Sequence, residues 1–332
     1  MTRIAVLGAG SWGTTLADLL ARKGHDVRIW AHEADVAESI NRAHENPVFL
    51  PGAALAPALT ATGDAAEAVR GVALVVSAPP SHVAAGVFEA VAGAMPAEVP
   101  LVSATKGIET RELRLMSELA GRILPGRPFV ALSGPSFAQE VFEGQPTAVV
   151  AAAGDPDVAR MVQAVFSTPR FRVYSNRDVV GVELAGALKN VVAVAAGMLE
   201  GLGLGHNPRA ALITRGLAEI TRLGQAMGAD PLTFAGLAGM GDLILTATGN
   251  LSRNRALGIA IARGETLDGF RAAHRSVAEG ANTSRAAAAL AERVGVEMPI
   301  TANVCAILFN GKPPRESVGE LMERDLKAEQ WR

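Results

Sequence analysis

The feature that most constrains this chain lies in its first 22 residues. There the apolar run Ile4-Ala5-Val6-Leu7 passes straight into Gly8-Ala9-Gly10-Ser11-Trp12-Gly13, and Thr14 to Arg22 continues as a helix. A strand, a glycine turn and a helix in that order form a dinucleotide-binding unit. Gly8 permits the tight turn, Gly10 lets a pyrophosphate approach the backbone, and Gly13 lets helix and strand pack closely. The unsatisfied N–H groups at the helix start then face the phosphates. A bare G-x-G-x-x-G also occurs in ordinary glycine turns, but its place between a strand and a helix, with a second strand at Val27 to Trp30, favours the nucleotide. Ile4 to Leu20 after Arg3 superficially resembles the apolar part of a secretion signal. Gly8, Gly10, Gly13 and Asp18 break that pattern, so the expected location is cytoplasmic.

The same fingerprint expects an acid about 20 residues further on, at the end of the second strand, to hold the adenosine ribose. That edge is Trp30-Ala31-His32-Glu33, with Glu33 at the right count but past the apolar run. Glu33 on the ribose and Glu33 as an ordinary exposed acid both stay open, and His32 is the alternative. The choice between NAD and NADP stays open with them.

A chain of 332 residues makes about two domains, each able to bury a core. Hydrophobic residues are 49% but aromatics only 4%, so the core is built from Ala, Val, Leu and Ile, which suits helices packed on a parallel sheet. A net charge of −2, without a basic stripe or acidic tail, gives no reason to expect nucleic-acid or membrane-surface binding and leaves small anionic ligands. The single cysteine, Cys305, excludes an intrachain disulfide and is expected in the core. The longest uncharged apolar stretch after the N-terminus, Val191 to Leu199, is well short of the about 18 residues of a membrane span, so no membrane insertion is expected.

Short apolar runs alternate with helical segments up to about Tyr174, a pattern of βαβ units and a parallel sheet. Strands are expected at Ile4 to Leu7, Val27 to Trp30, Ala73 to Ser77, Leu101 to Ala104, Phe129 to Leu132 and Thr147 to Ala151, with Phe171 to Tyr174 as a further candidate. Several end in small or turn-forming residues, and carboxyl ends of strands are where open α/β sheets place ligands. After Asn176 the pattern changes to Ala/Leu-rich helices at Val182 to Leu199, Arg209 to Met227, Arg253 to Ala262 and Thr283 to Val294. The fold class is therefore α/β plus all-α. The boundary falls near residues 175 to 190, dividing the chain into 1–180 and 181–332.

Hydride transfer to a carbonyl needs a group that supplies a proton as the alkoxide forms. No histidine spacing suggests a metal site, and no serine has the setting of a catalytic triad. Lys106, in Ser103-Ala104-Thr105-Lys106-Gly107, ends a strand and so borders the ligand crevice. Lys189 interrupts the apolar run Gly186 to Val194; it is either a snorkelling stem or, if buried, an acid/base group near neutral pH. Asn190 beside it reads as a helix polar residue. Asp242, in Gly239-Met240-Gly241-Asp242-Leu243, either caps a helix or orients Lys189. Asn250-Leu251-Ser252-Arg253-Asn254-Arg255 opens a helix as a phosphate site or as a solvated face. Val277-Ala278-Glu279-Gly280 reads as a loop.

Taken in order, GAGSWG, SATKGIE, SGPSFAQE, GALKNVVAVAAG, ITRGLAE, GMGDL, SRNR, VAEG and EMPI resemble the bacterial NAD(P)-dependent glycerol-3-phosphate dehydrogenases over nearly the whole chain. The resemblance implies a Rossmann-type, mostly parallel sheet followed by a helical domain of the 6-phosphogluconate dehydrogenase type, commonly as a homodimer. It implies reversible interconversion of dihydroxyacetone phosphate and sn-glycerol 3-phosphate for the phospholipid backbone, with NAD or NADP and no metal. It implies Lys189 as proton donor and acceptor with Asp242 beside it. Ser252, Arg253, Asn254, Lys106, Gly134 and Ser136 then complete the substrate site. Gly8, Gly10, Ser11, Trp12, Gly13, His32, Lys106, Ala138, Arg253, Val277 and Glu279 contact the nucleotide. Trp12 stands where many members have another aromatic and Ser136 where many have Thr, each keeping the chemical type. A 3-hydroxyacid or 6-phosphogluconate dehydrogenase shares the architecture but needs no phosphate site at Ser252-Arg253-Asn254. A nucleotide sensor without turnover needs neither Lys189 nor Asp242.

Overall fold

The structure, a computed structural model, describes residues 2–275, 277–326 and 328–329. Its first part carries ten strands: β1 (Arg3–Leu7), β2 (Asp26–Trp30), β3 (Glu45–Asn46), β4 (Leu50–Ala54), β5 (Thr60–Thr62), β6 (Leu74–Ser77), β7 (Leu101–Ser103), β8 (Phe129–Ser133), β9 (Thr147–Ala152) and β10 (Phe171–Asn176). Eight form one sheet in the order β10-β9-β8-β7-β6-β1-β2-β5, parallel everywhere except between β8 and β9. β1 and β6 lie at its centre, where four of the five residues of β1 and all of β6 are buried. Chain order runs outward from β1 to β2 and β5, then returns to β6 on the other side. The crevice beyond the carboxyl ends of β1 and β6 is thus the switch point at which such sheets bind ligands.

All seven expected strands form, within three residues at either end. The β3–β4 hairpin and β5 were not expected, because their stabilising partners lie elsewhere in the chain. Buried Asn46 donates through Nδ2 to Ala9 O and Thr14 Oγ1, both at 2.8 Å, and accepts from Phe49 N at 3.1 Å. The hairpin is therefore anchored on the glycine turn by one amide, which leaves no alternating pattern in the sequence.

Beyond Asn176 the described residues are helical, packed around the 23-residue helix Val179–Gly201. Asp178 starts it three residues before the expected Val182, its carboxylate accepting from Gly181 N at 2.8 Å. By length and composition this helix is apolar enough to cross a bilayer, contrary to the shorter run read from the sequence, but it is the core of the helical part, with most of its surface buried. The helix Arg253–Ala262 crosses it backbone to backbone. A Cβ at Gly197 would lie 2.0 Å from Arg255 O, and one at Gly258 would lie 2.0 Å from Val194 O. Two further readings are corrected. Glu279 and Gly280 open the helix Glu279–Val294, unforeseen because its N-cap, Ala278, makes no side-chain cap bond. Cys305 is only half-buried on the helix Pro299–Asn310.

Candidate active site

The nucleotide side is built by β1, the glycine turn and the helix Ser11–Arg22. Gly8 has φ +104°, and a Cβ there would press on Ala78 and Pro79 at the end of β6. A Cβ at Gly13 would lie 1.9 Å from Gly8 O, whereas one at Gly10 would meet, beyond its chain neighbours, no atom of the described residues within 4 Å. The turn thus leaves space at the position where a pyrophosphate approaches, beside N–H groups that have no partner within the helix. Thr14 Oγ1 and Asn46 Nδ2 both donate to Ala9 O, holding the turn in shape. Trp12 lies against Phe171, and its buried Nε1 has no hydrogen-bond partner among the described residues. Ala138 opens the short helix Ala138–Phe142 beside the turn, its carbonyl accepting from Thr15 Oγ1 at 3.2 Å. This set of donors and open backbone fits a dinucleotide. At the ribose edge His32 is exposed, edge-on to Trp30, and Glu33 occupies the N-cap position of Ala34–Ala43 without a side-chain cap bond.

Further along the same carboxyl-end edge of the sheet, beyond β7 and β8, three charged groups from both parts of the molecule converge. Lys106 follows β7, and its Nζ donates to Gly134 O at 3.0 Å and to Asp242 Oδ2 at 2.7 Å. Lys189 Nζ donates to Asp242 Oδ1 at 2.8 Å and to Thr246 Oγ1 at 2.7 Å. Thr246 in turn donates to Asp242 O at 2.7 Å. Lys189 is 7% exposed, so the snorkelling reading fails. The capping reading of Asp242 fails too: Asp242 is the first residue of the helix Asp242–Thr248, and its carboxylate turns to the two ammonium groups. The glycines before it allow this, since a π-helical turn at Leu237–Gly241 brings Gly239 so near the preceding chain that a Cβ would lie 2.1 Å from Phe234 O.

Burial lowers Lys189 to about 8; Asp242 opposes the shift, and the positive fields of Lys106 and Arg253 add to it. For Asp242, burial alone would push the carboxyl up, but Lys106 and Lys189 outweigh it and hold the group below the usual carboxylate range. The site therefore holds a carboxylate that stays ionised beside an amine that exchanges its proton near neutral pH.

Around this centre, Gly134 has φ +139° and lies so close to Val149 that a Cβ would be 2.9 Å from its Cα. Its carbonyl accepts from both Lys106 and Ser136 Oγ, the latter at 3.0 Å. Ser252 is buried and caps the helix Arg253–Ala262, accepting from Arg255 N at 3.2 Å. Asn254 donates to Asn190 Oδ1 at 2.8 Å and accepts from Gly280 N at 2.9 Å. Asn190 Nδ2 lies 3.4 Å from Lys106 O. Arg253 is exposed and makes no hydrogen bond or ion pair among the described residues, although the charge of Glu279 acts on it and its own charge acts on Lys189. Glu279 reaches back to the sheet, accepting from Ser81 N at 3.0 Å and Ser81 Oγ at 2.7 Å. Val277 lies half-buried in the irregular stretch before it.

Lys106, Gly134, Ser136, Lys189 and Asp242 thus form one hydrogen-bonded cluster, with Asn254 joined to it through Asn190. His32 stands apart at the far edge. Thr246, Asn190 and Ser81 were missed as site residues. The i, i+4 spacing of Asp242 and Thr246 was the available signal for the first. Among the described residues no group of three or more His, Cys, Asp or Glu side chains has the arrangement of a metal site.

Residues 3–159 match the family model described as NAD-dependent glycerol-3-phosphate dehydrogenase N-terminus, and residues 178–319 match the corresponding C-terminus. The chain is 58% identical over 332 residues to a glycerol-3-phosphate dehydrogenase (NAD(P)+) of Geobacter sulfurreducens, covering 99% of each chain. It is similar to the crystal structure of a glycerol-3-phosphate dehydrogenase from Coxiella burnetii, at 39% identity and a TM-score of 0.94, covering 97% of this chain and 99% of that one. A glycerol-3-phosphate dehydrogenase from Saccharomyces cerevisiae gives 29% identity and a TM-score of 0.82 over 97% and 99% of the two chains. With both of its parts matched and a relative this similar along its whole length, the chain belongs to the NAD-dependent glycerol-3-phosphate dehydrogenase family.

Proposed function

We propose that this chain catalyses the reversible reduction of dihydroxyacetone phosphate to sn-glycerol 3-phosphate with NADH or NADPH. The observation that carries the reading is the Lys106–Asp242–Lys189 cluster, assembled from both parts of the molecule at the carboxyl-end edge of the sheet that also bears the glycine turn. Gly8, Gly10, Ser11, Trp12, Gly13 and Ala138 hold the dinucleotide, with His32 at the ribose edge and Val277 and Glu279 on the helical side. Bound there, the nicotinamide supplies the hydride in reduction and accepts it in oxidation.

Lys189 gives a proton to the C2 oxygen as the carbonyl is reduced and takes one back in the reverse direction. A value of about 8 suits both roles, because the amine is populated in both protonation states near neutral pH. Asp242 holds Lys189 in place and stabilises its charged form, while Lys106 adds positive charge near the developing alkoxide. Arg253, without a hydrogen bond or ion pair among the described residues, takes the substrate phosphate at the start of its helix, supported by Ser252 and Asn254. Binding of that remote group positions C2 for transfer. Lys106, Gly134 and Ser136 close the opposite wall.

We further propose that the chain works as a cytoplasmic homodimer supplying the glycerophospholipid backbone, with its two domains meeting at residues 180 and 181. Initial rates of NADH and NADPH oxidation with dihydroxyacetone phosphate test the reaction. Rapid oxidation with either supports it, and the ratio of kcat/KM values answers the ribose-edge question at His32 and Glu33. A folded, nucleotide-binding protein that oxidises neither overturns it.

A further inference from the structure

Glu183 and Ser117 meet where the sheet-bearing part of the molecule enters the helical core. Ser117 is the second residue of the helix Met116–Ile123, and Glu183 lies on the helix Val179–Gly201. Ser117 donates twice to one carboxylate, N–H to Oε1 at 2.9 Å and Oγ–H to Oε2 at 2.5 Å. Neither residue touches the substrate-side cluster, and the reaction as described above uses neither.

One of the two helices they join carries Lys189, and the other is reached from Lys106 through a single loop. Lys106 lies in the loop 104–115 that leads from β7 into the helix of Ser117, and Lys189 follows Glu183 on the same helix by six positions, about 9 Å along the axis. The loop is internally stiff: Glu109 folds back on it, accepting from Arg111 N at 2.8 Å and Glu112 N at 2.7 Å. Ile108 and Leu115 pin it among Leu184, Ala187 and Leu188 of the helix. Those apolar contacts are non-directional and tolerate sliding, whereas a two-point hydrogen bond to a carboxylate fixes distance and orientation. We propose that Glu183, gripped by Ser117, is a positioning residue that sets the register of Lys189 against Lys106, so that both ammonium groups reach the one carboxylate of Asp242.

A carboxylate placed in this seam for stability alone would be a poor choice. Loss of water pushes Glu183 up to about 7, a shift that the Ser117 hydroxyl and N–H and the Met116 N–H oppose and that Glu118 reinforces. Among the described residues its hydrogen-bond donors are uncharged. A group whose charged form is this disfavoured contributes more to geometry than to stability.

The inference rests on the dehydrogenase reading, so its test carries a readout independent of turnover. Glu183→Ala and Ser117→Ala should lower kcat with dihydroxyacetone phosphate about tenfold or more, with the NADH Kd and the Tm close to wild type. Glu183→Gln, whose amide still meets both Ser117 groups, should restore most of kcat. In hydrogen exchange followed by mass spectrometry, Glu183→Ala should speed exchange in residues 104–118 and 179–190 selectively. A kcat within twofold of wild type in Glu183→Ala, Glu183→Gln as impaired as Glu183→Ala, or unchanged exchange in those segments would each overturn the proposal. If wild type itself shows no turnover, the reaction reading fails, and the exchange result alone decides whether the clasp sets the register.

Discussion

Lys189 donates to Asp242 Oδ1 at 2.8 Å in a place where neither residue is more than 7% exposed, and Lys106 occupies the other oxygen of the same carboxylate at 2.7 Å. One anion thus faces two cations in a desolvated pocket. The two cations keep the carboxylate ionised, and burial, with the field of Lys106 added, makes the Lys189 ammonium ready to release its proton.

The pH dependence of the reaction should report this balance. With Lys189 at about 8, reduction, which needs the protonated amine, should decline as pH rises through 8, and oxidation, which needs the neutral amine, should rise over the same interval. Lys106→Met removes a field that lowers Lys189 and should move the inflection up. Asp242→Asn removes one that raises it and should move it down. Inflections that stay at the wild-type pH in both variants would contradict the assignment.

Asp242→Asn should also cost stability, because it leaves two ammonium groups side by side without their counter-charge. Breaking a buried pair in this way costs about 3–5 kcal/mol, readable as a lower urea midpoint at pH 7. A midpoint equal to that of wild type would mean that the three charges are better solvated than their burial indicates.

The glycine turn makes two opposite predictions from neighbouring residues. Gly10→Ala adds a methyl into space free of protein atoms, so the fold should hold while NADH binding weakens about tenfold or more, ~1.4 kcal/mol. Gly13→Ala drives a methyl into Gly8 O and should destabilise the chain itself by about 1–3 kcal/mol. Thermal unfolding and fluorescence titration of NADH, run on both variants, separate them.

Arg253→Ala should act chiefly on the phosphorylated substrate. Losing a charge-assisted contact that becomes buried on binding costs about 2–4 kcal/mol, seen as a higher KM for dihydroxyacetone phosphate with little change in NADH affinity. An unchanged KM would move the phosphate elsewhere.

Stability should carry the mark of Glu183. Its folded value of about 7 lies above the ordinary 4.5, so the folded chain holds that proton more tightly. The contribution is complete below pH 4.5 and is lost as pH rises through 7. Glu183→Gln stays neutral throughout, so wild type should lose ground to it in urea midpoint across that window. A difference independent of pH would rule this out.

Legibility in the sequence followed the reach of each interaction. The strand, glycine turn and helix at residues 4–22 were readable because every constraint there is local. The central helix was readable from its composition, though its start was missed by the three residues that Asp178 caps. The Lys189–Asp242 pair spans 53 positions, so each residue carried two readings until the fold joined them. Thr246 looks like any hydroxyl in a short apolar helix until its neighbour is known to hold an ammonium. Ser81 and Glu279 are 198 positions apart, and Glu183 and Ser117 are 66 apart. Nothing near either residue in the sequence points to its partner. The β3–β4 hairpin depends on one buried asparagine, a feature that leaves no periodicity to read.

The most direct measurement is single-turnover NADH oxidation by Lys189→Ala with dihydroxyacetone phosphate, alongside NADH binding to the same protein. If Lys189 is the proton donor, the single-turnover rate constant falls about 10²–10⁴-fold while the NADH Kd stays near that of wild type. Turnover close to wild type in a folded, NADH-binding variant would remove Lys189 from the chemistry, and the proposed mechanism with it.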